Sequence, residues 1–235
     1  MGTMDPTTIF GDPASWPAQD FVAFSPTLDE RIVVDAYRAG LFPMPLPDSF
    51  FGPGVGWWSP LRRGVLPLAR FHCSHSLRQS RKRYSVTVDN AFERVVNGCA
   101  DPGRPGGWID AAMTRLYRHL HANGVAHSVE AWTPDGELAG GLYGLSLGGL
   151  FAGESMFHRG DIGRDASKVA LAALVDLLHA DGVVRLLDVQ WATPHLVSLG
   201  AIEISRPRYL AVLPRVLALP APDWRRIPPA PGSTY

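Results

Sequence analysis

Acidic residues are missing from a long stretch of this chain. Between Asp48 and Asp89 there is no Asp or Glu, while the same window holds Arg62, Arg63, Arg70, Arg78, Arg81, Lys82 and Arg83. The whole chain balances 22 basic against 22 acidic side chains, so the window is a local imbalance. Cysteine is scarce: Cys73 and Cys99 are the full complement. That excludes a disulfide framework and leads us to expect reduced thiols in a cytoplasm. No apolar run is long enough to cross a bilayer, so no membrane partner is expected. The opening "MGTMDPTTIFGDPASWP" has an early Asp and no basic segment, and no secretory signal is expected from it. Two further absences narrow the chemistry. No glycine-rich phosphate loop ends in GK[ST], since "HRGDIGRDASK" lacks that ending. The residues His72, Cys73, His75, Cys99, His119, His121 and His127 never fall at zinc-type spacing, so no metal is expected.

What is present suits a globular protein. Hydrophobic residues make up 46% of 235, enough to build the core of one large domain or two modest ones. Residues 1–20, rich in Pro, Asp and Thr, read as a loose arm. "SPTLDERIVVDAYRAG" reads as a helix with Ser25 as N-cap, Pro26 at the first helical position and Gly40 as the stop. "LFPMPLPDSFFGPGVGWWSPLRR" reads as a long Pro/Gly loop loaded with aromatics, among them Phe42, Phe50, Phe51, Trp57 and Trp58. A short helix over "CSHSLRQSRKR" and a strand over "YSVTV" follow, and Asp89 is expected to cap the helix "NAFERVVNGC". "DAAMTRLYRHLHANG" has Met113, Leu116, Tyr117 and Leu120 at helical spacing. From His127 three apolar stretches divided by "PDG" and glycine-rich turns predict a β-meander. A helix over "DASKVALAALVDLLHADG", a strand over "VVRLLDVQW", a short helix "PHLVSL" and a strand over "AIEISRPRYLAVL" complete the pattern, with a Pro-rich tail after Pro220. The fold class is α+β: a mostly helical first half, then a mixed, mostly antiparallel sheet.

Three polar features stand out from this frame. "RLLDVQW" sets Asp188 and Gln190 two apart in an apolar strand, so they are expected to share one face, and burying both is costly without partners. Val189 is expected on the other face. Glu154 in "FAGESMF" is a carboxylate inside an apolar strand. If the two strands adjoin, the three groups converge on an apolar pocket, the usual form of a small-molecule site. Arg78, Arg81 and Lys82 fall at i, i+3 and i+4, with Arg83 adjoining, and predict one exposed basic face suited to a polyanion. "GLSLG" fits G-x-S-x-G, with Asp188 and His195 following in hydrolase order. The strand-like "GLFAGESMF" after it removes the turn into a helix that such a nucleophile needs.

The segments "AYRAGLFP", "WWSP", "TVDNAFERVVNGCA", "GGWI", "AHSVEAW", "GGLYGLSLGGLFAGESMF", "ASKVAL", "LLDVQ" and "PHLVSLGAIEISR" occur in order. With them, from Asp29 to Leu213, the chain resembles the leucyl/phenylalanyl-tRNA–protein transferase family. The resemblance implies an aminoacyltransferase that moves Leu or Phe, and less well Met, from aminoacyl-tRNA to proteins with an N-terminal Arg or Lys. That marks them for degradation by the bacterial N-degron route. It also implies a small N-terminal domain (21–70) and a GNAT-like catalytic domain (71–219), with a tail over 220–235. Asp188 and Gln190 are the implied catalytic pair, the Gln190 carbonyl accepting from the amine while Asp188 orients the amide. Glu154 would meet the acceptor's N-terminus. Tyr37, Met44, Trp108, Leu142, Met156, Leu171, Leu174 and Leu187 would form the aminoacyl pocket, and Arg78, Arg81, Lys82 and Arg83 the tRNA surface. No cofactor is implied.

The chain departs from the family pattern at three places. It has "FPM" for "FPW", so Met44 replaces an aromatic wall. It has "DVQ" for "DCQ", and "DFVAFSPTLDE" stands where a glycine-rich segment is usual. Two rivals share the frame. One is a CoA-dependent N-acetyltransferase of the same fold, which usually carries a pyrophosphate loop that "HRGDIGRDASK" does not match. The other is a non-catalytic tRNA- or degron-binding relative.

Overall fold

The computed structural model describes residues 10–46, 52–104 and 107–226. Phe50 and Phe51, residues 1–9 of the expected arm and residues 227–235 of the expected tail lie outside these.

Helix α1 (Glu30–Ala39) starts at Asp29, whose carboxylate accepts from the Arg31 N–H, and not at Ser25. Ser25 ends strand β1 (Phe21–Ser25). An acceptor at Asp29 satisfies a free N–H of the first turn, so the cap falls four residues later than the Ser-Pro pair suggests. The helix stops at Gly40, φ 88°, whose left-handed backbone suits glycine.

The aromatic loop is not a loop. It forms β2 (Phe42–Leu46), β3 (Gly54–Trp58) and β4 (Arg62–Leu66). Strands β1, β3 and β2 make an antiparallel three-stranded sheet in that order. Pro43 and Pro45 lie on β2, an edge strand, where a missing N–H breaks no ladder on the open side.

The larger sheet also uses β5 (Ser85–Val88), β6 (Ala126–Trp132), β7 (Leu138–Leu147), β8 (Leu150–His158), β9 (Leu186–Gln190) and β10 (Ile202–Ser205). Its order is β10-β4-β9-β8-β7-β6-β5. Only β8 and β9 pair in parallel; every other neighbour is antiparallel. The expected meander is β6, β7 and β8. Strand β4, within the segment expected as an N-terminal unit, is hydrogen-bonded inside this sheet.

Helices α2 (His75–Arg81), α3 (Phe92–Cys99), α4 (Ala111–Ala122), α5 (Ala166–His179), α6 (Pro194–Ser198) and α7 (Arg206–Leu217) complete the chain. Asp89 does not cap α3: its carboxylate accepts from the Ser128 N–H and contacts His127. The last expected strand ends at Ser205 and continues as α7, with Pro207 in its first turn, where proline is tolerated. α5 is buried nearly all round and packs on β6, β7 and β8, while Tyr209 and Leu213 of α7 pack against Val65 and Leu150. The described part of the expected arm is tied down. Arg206 is buried and donates to the carbonyls of Pro17, Gln19 and Ser59, and Asp20 accepts from Leu61 N–H and Trp191 Nε1.

Candidate active site

Strands β8 and β9 stay paired only from Leu150 to Ala152 on β8. Beyond that they part, and β8 carries a bulge. Gly144 of β7 faces Gly153 while Tyr143 faces Ser155, so Glu154 is the extra residue. A bulge releases one residue from the ladder and re-aims its side chain. Glu154 is thereby turned out of the alternation that would have decided its face.

The gap between the two strands opens a cavity of about 280 Å³. Seven of the eight residues expected in an aminoacyl pocket line it: Met44 from β2, Trp108, Leu142, Met156, Leu187, and Leu171 and Leu174 from α5. Phe42, Phe151, Val189 and Trp191 add to the walls. Phe42 and Trp191 pack edge-to-face with ring centres 5.0 Å apart. Tyr37 is not on the wall. It is buried behind Glu154, and its hydroxyl donates to Glu154 Oε1 at 2.7 Å. Tyr117 donates to Oε2 at 2.7 Å. Periodicity had assigned Tyr117 to an apolar helix face, and nothing in its spacing marks the hydroxyl.

Burial pushes the Glu154 carboxyl up to about 7, against the lowering effect of the two tyrosine hydrogen bonds. The carboxylate repels the phenolates in turn. Burial and this repulsion raise both Tyr37 and Tyr117 well above the usual tyrosine range, so both remain donors. The remaining side of Glu154 meets Gln190, whose Nε2 lies 3.4 Å from Oε1.

Asp188 and Gln190 do not share a face. Leu187 and Val189 line the cavity, as strand alternation requires, and this puts Asp188 on the opposite side. Gln190 breaks the rule because its φ is +56°, which swings its side chain back to the cavity. Val189, expected to face away, is therefore a wall residue. Asp188 is fully buried and does not line this cavity. Its Oδ1 accepts from Arg63 Nε at 2.9 Å and from the Gln190 backbone N–H at 3.0 Å. Its Oδ2 accepts from Arg63 Nη2 at 2.6 Å and the Tyr209 hydroxyl at 2.8 Å. Asp188 thus holds the backbone of Gln190, not its amide.

Arg63 escaped the sequence reading except as one of seven basic residues. Only the sheet order, which sets β4 beside β9, brings it to Asp188. It is 1% exposed, donates also to the Gly40 carbonyl at 3.0 Å, and lies over the Tyr209 ring. Burial opposes its charge, but the attraction of Asp188 outweighs this and raises its pKa. The bidentate fork satisfies both ions, the condition for tolerating such a pair in a core. Gly64, next in β4, is needed for close approach: a Cβ there would lie 2.6 Å from the Ala192 nitrogen.

The expected basic face is split. Arg78, Lys82 and Arg83 are exposed. Arg81 is half-buried and forms an ion pair with Asp176 of α5, because a helix packed on another turns one side of its i, i+3 row inward. Among the described residues no cluster of three or more His, Cys, Asp or Glu could hold a metal ion, and no helix is long and apolar enough to cross a membrane. Ser146 of "GLSLG" sits within β7, not on a turn into a helix.

The combination is an apolar, side-chain-sized cavity with one amide and one uncharged-to-charged carboxyl at its edge. A family model described as leucyl/phenylalanyl-tRNA protein transferase matches residues 65–214. Curated proteins named leucyl/phenylalanyl-tRNA–protein transferase are similar over most of their length. That of Afipia carboxidovorans is 48% identical over 194 residues, 81% of this chain and 82% of its own. That of Roseobacter denitrificans is 47% identical over 196 residues, 83% of this chain and 89% of its own.

Proposed function

Because this chain belongs to the leucyl/phenylalanyl-tRNA–protein transferase family and so moves an amino acid from aminoacyl-tRNA to a protein, we propose that its donors are Leu- and Phe-tRNA, with Met-tRNA used less well. The acceptor is the α-amine of a protein beginning with Arg or Lys. The product carries a new bulky N-terminal residue and enters the N-degron route of the cytoplasm. The observation that carries this reading is the cavity between β8 and β9: apolar walls for one Leu- or Phe-sized side chain, with Gln190 and Glu154 at its edge. On this reading the seven-stranded sheet and its helices form a GNAT-like catalytic unit, and the three-stranded sheet a small N-terminal unit that contributes Met44.

An aminoacyl ester is already activated, and an α-amine with a pKa of about 8 is partly neutral at working pH. Positioning the two supplies much of the rate. The amine nitrogen attacks the ester carbon, the C–N bond forms, and the bond to the ribose oxygen breaks, the oxygen leaving with a proton. Gln190 gives its amide N–H toward Glu154 and, among the described residues, its side-chain carbonyl oxygen accepts no hydrogen bond; that oxygen accepts from the attacking amine. Ionised Glu154 sits beside the acceptor's N-terminal residue, where it favours the cationic side chain and the charge developing on nitrogen. Asp188 acts at one remove, by fixing the Gln190 backbone, and is a positioning residue. Arg78, Lys82 and Arg83 meet the tRNA backbone, with Arg81 bracing their helix.

The test is transfer of labelled Leu, Phe and Met from their tRNAs to a peptide beginning with Arg or Lys. Gln190→Ala should lose about 100-fold or more in kcat/KM while tRNA affinity stays within twofold. Near-normal transfer by that variant would remove Gln190 from the chemistry. Calorimetric binding of acetyl-CoA, with none of charged tRNA, would favour the acetyltransferase reading instead.

A further inference from the structure

A second cavity adjoins the apolar one. It measures about 690 Å³ and is bounded by the end of β8, the loop 159–165, the start of α5 and His195 of α6. The two cavities share Met156. The walls of the second carry Arg104, Arg164 and Lys168, the histidines His158 and His195, and one carboxylate, Asp165. Three fixed cations against one anion leave an excess of two positive charges before either histidine is protonated. A third cavity flanks the apolar one on another side, sharing Trp108, and Asp110 is the sole charged wall residue among the described residues. A strand of nucleic acid leaving the aminoacyl cavity is repelled by one neighbour and attracted by the other.

The cations differ in availability. The Arg104 guanidinium is spent on the carbonyls of Cys99 at 2.9 Å and Met156 at 2.6 Å. Lys168 Nζ lies 2.9 Å from Asp165 Oδ1. Arg164 is exposed, and its guanidinium has no hydrogen bond or ion pair among the described residues. The positive field registers on His195, which burial and then the charges of Lys168 and His158 hold below the usual histidine value. A bonded chain ties this cavity to α2: Arg83 donates to Ser80 Oγ at 2.6 Å, and Ser80 to Asp165 Oδ2 at 2.9 Å. The exposed basic residues of α2 and the cavity therefore share one scaffold.

We propose that this cavity binds a phosphodiester near the 3′ end of the aminoacyl-tRNA through Arg164 and Lys168, delivering the esterified residue past Met156 into the apolar cavity. The inference rests on the aminoacyl-transfer reading. Guanidinium and ammonium groups are the usual ligands of such phosphates, and the positive end of α5 lies in the same wall.

The experiment compares two donors carrying the same ester. One is a phenylalanyl acceptor-stem minihelix; the other is phenylalanyl-adenosine, which has no phosphate. For Arg164→Gln/Lys168→Gln, affinity for the minihelix should fall about tenfold. The slope of log affinity against log salt should shrink by about 0.7, the value for one single-strand phosphate. Transfer from phenylalanyl-adenosine should stay within twofold of wild type. Arg164→Gln alone replaces an exposed side chain whose guanidinium makes no hydrogen bond or ion pair among the described residues; it should give half the slope change with an unaltered Tm. An unchanged slope in both variants overturns the proposal, as does an equal loss with both donors, which would make these residues supports of the loop. Displacement of the minihelix by acetyl-CoA also overturns it. If wild type transfers nothing from any charged tRNA, the aminoacyl-transfer reading fails. The slope, read from binding alone, still decides whether the cavity takes phosphate.

Discussion

The Glu154 carboxyl is raised from its usual value of 4.5 to about 7, chiefly by burial. If its ionised form receives the acceptor's N-terminus, transfer rate falls as pH drops below about 7, and Glu154→Gln removes that acidic limb. A limb that persists in Glu154→Gln belongs to some other group. The same shift has a consequence for stability. Between pH 4.5 and 7 the unfolded chain loses this proton while the folded one keeps it. The folded state therefore loses stability relative to Glu154→Gln as pH rises through that window, and the difference levels off above 7. Denaturant titrations at pH 5 and pH 8 should show Glu154→Gln gaining on wild type by an amount on the order of 1–3 kcal/mol. Arg63 and Asp188 give a sharper stability test. Removing one partner, as in Asp188→Asn or Arg63→Met, leaves a buried charge without its counter-ion and should cost about 3–5 kcal/mol. Arg63→Met/Asp188→Leu should cost much less than the sum of its single changes. Additive losses would mean that the two ions do not depend on one another.

At the scale of elements, the site depends on two local departures from regular strand: the bulge at Glu154 and the left-handed residue at Gln190. A non-glycine residue at φ +56° carries backbone strain of about 1–2 kcal/mol. Gln190→Gly should therefore raise unfolding free energy by about 1 kcal/mol while losing about 100-fold or more in transfer, whereas Gln190→Ala should lose transfer to the same extent without that gain. Equal stability of the two variants would show the backbone to be relaxed. These departures explain what could be read from the residues and what could not. The apolar cavity wall was implied by the family resemblance, which named Leu142, Met156, Leu171, Leu174 and Leu187, all of which line it; spacing alone placed these residues in apolar elements without assigning them to a cavity. That Asp188 and Gln190 point to opposite sides was not legible, since the alternation rule assumes an extended backbone through Gln190. Neither was Arg63, which meets Asp188 125 residues away through sheet order. Pro43 and Pro45 concealed β2 because proline argues against a strand until the strand is known to be an edge. The last helix was concealed in the same way, by a four-residue strand running straight into it.

Over the whole molecule, the acid-free window is divided between two tasks. Arg63 is sealed in the core, Arg62 pairs with Glu203 across β4 and β10, and Arg81 is held by Asp176. Of the helix-borne cluster, this leaves Arg78, Lys82 and Arg83 facing solvent. Net charge is zero, so attraction of a polyanion must come from such local patches and be screened over about 10 Å in 0.1 M salt. Reversing Arg78, Lys82 and Arg83 to Glu should weaken binding of uncharged tRNA and flatten its salt dependence by roughly 0.9 per lost contact with duplex phosphate. Arg81→Gln should behave differently. Its charge is already compensated by Asp176, so the salt slope should barely move, and the effect should appear as a lower Tm from loosened packing of α2 on α5. Filter binding over a range of salt, run beside thermal unfolding, separates the two. If Arg81→Gln flattens the slope as much as Arg78→Gln does, its pairing with Asp176 does not outlast tRNA binding, and the helix turns all four cations to the nucleic acid.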